Sequence, residues 1–317
     1  MRGRLRIIGF QVPFQHWEGI LMNYNRMKSV KATAKGYAFI GINLIGVLVF
    51  WIIPLIFCFV ISISKWDYSK GLKGIRLAGF SNYIEMWKDA WFRASLINNI
   101  IFTVSYVAIL IVLSFIIAYL LNEFVIGKKF VQLGLYLPYI VNIVAISAVW
   151  LALFSNNGPI LNVLRSLGVK NPPIFISDLK WALPTIVLIC VWQNLGYTAI
   201  LFLSGMINVS KDLYEAAAID GANGFQRVWY VTIPMLSGTT FFIVITSIIH
   251  SFKVFGLINL MTHGGPGTST TMLVYNIYRT AFQFGKMEFA SAQGVVLLAI
   301  IFFITWIQFR IQKKNEE

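Results

Sequence analysis

The chain has 317 residues, 58% of them hydrophobic and 12% charged, with a mean hydropathy of +0.73 and a formal net charge of +14. Charges at about half the share usual in soluble domains cannot cover a globule of this size in water, so most of the chain has a bilayer as its solvent. The basic excess reads as anchors facing anionic lipid: no basic stripe interleaved with aromatics points to nucleic acid, and Cys58 and Cys190 both fall in apolar runs with no disulfide framework or acidic cluster nearby.

Residues 1–36 form a polar N-terminal segment. Residues 1–21 resemble no targeting signal. Trp17-Glu18-Gly19 can be encoded with a purine-rich, ribosome-binding run just ahead of Met22. Translation in the native host is therefore expected to start at Met22, with 1–21 a gene-model extension, and N-terminal sequencing that found Met1 or Arg2 would refute this. Six apolar runs follow, at 37–63, 98–121, 132–154, 183–204, 237–258 and 290–309. Each is long enough to cross about 30 Å of hydrocarbon at about 1.5 Å per residue, and backbone groups in lipid require helices. Pro54 lies inside the first run, where a kink is tolerated.

The intervening loops differ. Residues 64–97 carry Trp66, Trp87 and Trp91, which suit a segment lying at the membrane surface. Gly158-Pro159 and Pro172-Pro173 mark turns in the loop before the fourth run. The loop 205–236 is polar yet helix-prone. Ser210 is placed to cap a short helix, with Asp212 in its first turn, and Gly221 to end it in the left-handed turn that glycine allows. Ala216, Ala217 and Ala218 leave a smooth surface for close approach by another protein. On pattern alone, an ordinary helix lying on lipid fits equally well. The distribution of Lys and Arg leans toward both termini on the cytosolic side without deciding it.

The stretch Glu215-Ala216-Ala217, with Gly221 four residues on, closing at Val231-Thr232-Ile233-Pro234, resembles the EAA loop of permease subunits of bacterial binding-protein-dependent ABC importers. Thr262-His263-Gly264-Gly265-Pro266 and Gly79-Phe80-Ser81-Asn82-Tyr83 resemble two further signatures of the sugar-permease branch. The likeness runs over roughly 37–310. It implies an all-α integral membrane protein of the six-helix type I permease fold, with a core domain over 95–310, a first extracytoplasmic loop at 64–97 and a cytosolic tail at 310–317. It also implies the cytoplasmic membrane as location, with both termini cytosolic, and three kinds of protein partner: a second, related permease subunit, an ATPase dimer and an extracytoplasmic solute-binding protein. ATP and Mg would belong to the ATPase. This chain has no Gly-x-x-x-x-Gly-Lys-Ser/Thr loop and is expected to be neither an enzyme nor a cofactor carrier. Residues implied for ATPase coupling are Glu215, Ala216, Ala217, Asp220, Gly221 and Pro234.

Polar side chains in lipid are costly, so those inside the spans face a cavity or a partner helix. Gln193, Asn194 and Tyr197 lie in the fourth span, with Trp192 able to stack on a sugar face. Ser247, His250 and Ser251 share one face of the fifth, with Lys253 close by. The resemblance adds Leu195, Gly196 and Ala199, and Val254. Hydrogen bonding between helices is the competing account of the cluster. Lys253 has two readings: it snorkels to the outer interface, or it faces the cavity and selects an anionic carbohydrate. Alternative functions are an ABC permease for glycerol phosphate, an amino acid or a peptide, and an ion-coupled carrier. The last would call for acidic residues buried in the spans, and the sequence has none there.

Overall fold

The computed structural model describes residues 6–7, 10–11, 37, 40–123 and 127–316. The expectations for the start site and for most of the N-terminal segment lie outside these residues. The chain divides into two compact units, Met1–Val60 and Ile61–Glu317. The first holds a small antiparallel hairpin, β1 (Arg6–Ile7) and β2 (Phe10–Gln11), and nearly all of the first apolar helix, α1 (Ile40–Ser62). A π-helical turn at Leu48–Ile52 precedes Pro54, so the helix loosens where proline removes a backbone donor.

The second unit opens with an antiparallel hairpin, β3 (Ser64–Trp66) with β4 (Ile75–Leu77), and then α2 (Ser81–Lys88). Asn82 explains one signature in physical terms. Its buried amide donates to the carbonyls of Ser62 and Ser64 at 2.9 and 2.8 Å, while the Tyr83 hydroxyl meets that of Ser62 at 2.8 Å. The pair fastens the hairpin to α2. Of the three tryptophans expected at the surface, Trp87 is exposed; Trp66 is half-buried and donates to Gly71 O. Trp91 lies under the Arg279 guanidinium, 3.4 Å from its ring centroid.

Helix α3 (Ala90–Glu123) runs for 34 residues, beginning eight residues before the apolar run. At about 1.5 Å per residue it is longer than the hydrocarbon is thick, so both ends project. The third apolar run is not one helix, as the hydropathy predicts, but two: α4 (Lys128–Ile140) and α5 (Ile143–Leu153), bent by 94°. Pro138 removes a backbone donor near the end of α4, and Asn142 caps α5 by accepting from Val144 N at 2.8 Å. After α6 (Pro159–Ser166) comes α7 (Ala182–Ile207), whose middle is the most enclosed of the spans within the second unit.

The polar loop folds as α8 (Lys211–Ile219) and α9 (Gly224–Met235). The latter bends by 67° into α10 (Ser237–Phe252). The fifth span thus ends at Phe252, six residues before the apolar run does, because Lys253 leaves helical geometry and Val254 and Phe255 continue without it. The segment Thr262–Thr271 is a packed loop. Thr271 Oγ1 donates to Gly264 O at 2.8 Å, Thr270 Oγ1 to Gly265 O at 2.7 Å, and the Asn98 amide to Thr268 O and Thr271 O. A side chain on Gly264, at φ +79°, would strike Tyr275 and Thr271. The glycine signature is therefore a packing device. Short α11 (Leu273–Tyr278) and long α12 (Met287–Glu316) complete the chain.

Among the described residues four helices, α1, α3, α7 and α12, are singly long and apolar enough to cross a membrane; counting each bent pair as one crossing brings the number to six. The core lies where α3 packs along α7, from Phe102 and Leu110 to Ile186 and Cys190. A second cluster, with Phe202, Leu236 and Ile243, sits near α8 and α9.

Candidate functional site

Two places gather the residues singled out by the sequence. The first is the end of the second unit formed by α8 and α9. Ser210 Oγ accepts from Asp212 N at 3.3 Å and starts α8. The helix closes through two bonds, Ala222 N to Ala217 O at 2.9 Å and Gly221 N to Ala218 O at 3.1 Å, with Gly221 at φ +79°. This is the paired closure that a left-handed glycine makes possible. Asn223 then caps α9 reciprocally with Gln226, at 2.9 and 2.8 Å. The sequence reading missed that capping box, although Asn-x-x-Gln after a helix-ending glycine is its signature. Tyr214 OH meets Thr232 Oγ1 at 3.1 Å and ties the two helices together.

What this end presents outward decides its character. Glu215, Ala216, Ala218, Asp220, Gly221 and Pro234 are exposed or partly so at the surface, and Ala217 is among them. Around them stand large apolar groups: Ile219 is 87% exposed, Phe225 75% and Tyr230 74%, with Phe225 stacked on Trp229 at 6.2 Å. A small alanine ledge with exposed apolar groups around it leaves room for close approach by another protein. Tyr119, Asn122 and Glu123 from the end of α3 line a small cavity here with Tyr214, Arg227 and Thr232, so this surface is continuous with a spanning helix.

The second place is the middle of α7 and α10, and the structure divides the predicted set there. Gly196 and Ala199 are buried, and a side chain on Gly196 would enter the Leu135 carbonyl of α4. Asn194 is buried and its amide donates to Cys190 O of its own helix at 2.8 Å. On α10, Ser251 is fully buried and its hydroxyl meets Thr103 of α3 at 2.7 Å; Ser247 and Val254 are buried too. Of these, Ser251 ties α10 to α3 and Gly196 lets α4 approach α7. Outward-facing are Trp192, edge-on to Trp150 at 5.3 Å, and His250 and Lys253; Gln193, Leu195 and Tyr197 are at most half-buried or packed within the bundle. His250 lies 6.1 Å from the Tyr106 ring.

The sequence reading also missed an aromatic group. Tyr139 of α4 stacks on Tyr197 at 4.4 Å and nearly parallel, and Tyr136 lies 5.5 and 6.5 Å from the two. Gly196, next to Tyr197, is what lets α4 come close enough to make the stack. The spacing Tyr136-Leu137-Pro138-Tyr139 carried the signal, since residues three apart share a helix face.

Residues 74–316 match the family described as the inner membrane component of binding-protein-dependent transport systems. The chain belongs to that family. Among its relatives is the sn-glycerol-3-phosphate transport system permease protein UgpA of Yersinia pestis, 32% identical over 239 residues that cover 75% of this chain and 80% of that one. Another is the lactose transport system permease protein LacF of Rhizobium radiobacter, 30% identical over 283 residues, covering 86% and 92%. In fold the chain is similar to a bacterial ABC transporter involved in import of the acidic polysaccharide alginate. The TM-score is 0.77 at 24% identity, over 90% of this chain and 99% of that one. A bacterial alginate ABC transporter in complex with an alginate pentasaccharide-bound periplasmic protein matches at 0.76, over 90% and 98%. This inner membrane component thus has the type I permease fold that the motifs imply.

Lys253 is where geometry bears most on a single charge. It caps the C-terminal end of α10 and is exposed, and the helix dipole favours a cation there by about 0.3–1 kcal/mol. Lys253→Gln and Lys253→Met are therefore expected to leave the amount of membrane protein unchanged. If the ammonium meets an anionic solute, both variants raise the KM for uptake of that solute several-fold. Unchanged KM in both assigns Lys253 to the helix end alone.

Proposed function

We propose that this chain is one permease subunit of an ATP-driven importer that moves a carbohydrate or a phosphorylated or acidic derivative across the cytoplasmic membrane. The observation that carries the reading is the exposed α8–α9 surface, closed by Gly221 and rimmed by Ile219, Phe225, Trp229 and Tyr230. It sits at the joint between α7 and α10, where a push from a soluble partner reaches two spanning helices at once. That partner is an ATPase dimer, which binds ATP and Mg, and this side of the membrane is cytosolic. A second permease subunit completes the pathway, and an extracytoplasmic binding protein delivers the solute. ATP binding draws the two coupling helices together, and the solute is carried by a shift between outward- and inward-open populations. Glu215 and Asp220 supply charge for docking, and the ledge of Ala216 and Ala217 lets the partner approach closely.

The substrate class follows the relatives' names: sn-glycerol-3-phosphate, lactose and alginate. Two of these three are anionic, which keeps the Lys253 test open for an anionic solute. Tyr197, with Tyr136 and Tyr139, offers the flat faces that sugar rings stack on; Gln193, His250 and Trp192 are the other candidate groups. Among the described residues no Asp or Glu is buried as a whole residue, and Glu288, whose Oε2 is enclosed, lies in the first turn of α12 and not mid-span, where an ion-coupled carrier would need its acid. Affinity purification of the tagged chain from native membranes tests the reading. An ATPase and a second permease chain in fixed ratio are expected; recovery of a homo-oligomer alone would refute it. Tyr139→Ala is expected to raise the KM for uptake about tenfold, close to 1.4 kcal/mol, with little change in membrane level. An unchanged KM removes the tyrosines from the pathway.

A further inference from the structure

The end of the second unit opposite the α8–α9 surface carries a second charged feature. Helix α3 reaches the coupling end with Asn122 and Glu123, so its start, together with the β3–β4 hairpin and α2, lies at the other end. The hairpin holds Lys65, Lys70, Lys73 and Arg76 against the single acid Asp67. All four basic side chains line one groove of about 380 Å3 with Trp66, Gly74 and two acids, Asp67 and Glu288, the last from the first turn of α12. Lys70 pairs with Asp67 at 3.3 Å; among the described residues Lys65, Lys73 and Arg76 have no ion-pair partner. The Ser69 hydroxyl, 2.6 Å from Asp67 Oδ1, and then Lys70 hold the Asp67 carboxyl below its usual range, so the acid stays ionised and the basic excess is fixed.

The helix that follows the hairpin, α2, carries an apolar stripe. Phe80, Ile84 and Trp87, spaced four and three residues apart, are 72%, 58% and 53% exposed. Leu72 and Leu77 of the hairpin region are exposed as well. The opposite side of α2 is buried at Asn82 and Met86, so the helix is held with its apolar face outward. The groove begins three residues past the end of α1, a helix long and apolar enough to cross a membrane, so chain continuity argues for a place near the lipid headgroups. An exposed apolar helix face that follows a cluster of cations within a few residues fits the boundary between acyl chains and anionic headgroups.

We propose that the hairpin groove binds the phosphate of an anionic phospholipid, with acyl chains lying along Phe80, Ile84 and Trp87. The phosphodiester meets Lys73, Arg76 and Lys65, and Trp66 lines the groove floor. An acidic face on a binding protein would meet the same charges, but it gives no reason for an outward apolar stripe on the helix that follows them. The placement in the outer leaflet rests on the proposed cytosolic orientation of the α8–α9 surface; the lipid chemistry does not.

The test uses the assembled transporter purified in neutral detergent. Thermal stability is read after adding phosphatidylglycerol, phosphatidylcholine or inorganic phosphate, and retained lipid is counted by native mass spectrometry. The parent is expected to gain stability with phosphatidylglycerol and little with the other two, and to retain it several-fold over phosphatidylcholine. Lys65→Gln/Lys73→Gln/Arg76→Gln should lose that preference, while Lys128→Gln/Lys129→Gln, at the other end of the molecule, should keep it. Equal response of the parent to both lipids overturns the proposal whatever the triple variant does. So does a response to inorganic phosphate alone, or a triple variant that keeps its lipid preference and loses only binding-protein association.

Discussion

Gly196→Val is expected to reduce the assembled protein in the membrane to a small fraction of the parent level. The position sits mid-span on α7 beneath α4, and an added Cβ would enter the Leu135 carbonyl. That neighbour is backbone, so no side-chain rotation relieves the clash, and α4 must move away. Forced overpacking in a close-packed interior costs about 1–3 kcal/mol, and the β-branched side chain adds two more methyl groups to the same space. The stack of Tyr139 on Tyr197 at 4.4 Å would open with it. Resemblance to sugar permeases placed Gly196 in the solute cavity, and the two accounts separate cleanly. Loss of thermal stability in the solute-free complex, for Gly196→Ala in milder form, supports packing. Normal stability with impaired uptake would return Gly196 to the solute.

Gly221→Val should give the opposite pattern: normal insertion and stability of the spans, with uptake below about a tenth of the parent. Nothing lies within 4 Å of a Cβ built at Gly221, so space is not the issue. The strain is in the backbone, at φ +79°, where a non-glycine residue costs roughly 1–2 kcal/mol and a β-branched one more. The substituted chain would abandon the turn and unmake the Ala222–Ala217 and Gly221–Ala218 closures, tilting α8 off its docking surface. Gly221→Asn, which tolerates the left-handed region, should recover most of the uptake. ATP hydrolysis in the valine variant should no longer respond to loaded binding protein. Uptake by Gly221→Val at parental levels would remove this turn from the coupling path.

The contrast between these glycines shows what the sequence exposes. Gly221 announces itself, because it follows a helix that Ser210 caps and stands four residues after Glu215-Ala216-Ala217. Gly196 sits in an apolar run, where packing against another helix and lining a cavity give the same letter. The spans α1, α3, α7 and α12 follow from apolar length alone. The break between α4 and α5 does not, because a hydropathy window averages over a 94° bend whose causes are two residues, Pro138 and Asn142. The polar residues of α10 were visible, but their partners were not: Ser251 meets Thr103, 148 residues away. Asn82-Tyr83 and Thr262-His263-Gly264-Gly265-Pro266 served to identify the family, and their local chemistry proved to be hydrogen bonding and close packing.

We propose that ATP hydrolysed by a partner at the α8–α9 surface drives this inner membrane component. The most direct test is uptake into proteoliposomes that contain the purified complex, with ATP inside and loaded binding protein outside. Uptake should require ATP, and its rate should be the same with and without ionophores that collapse ion gradients. Uptake that proceeds without ATP and stops when the gradients collapse would contradict the account.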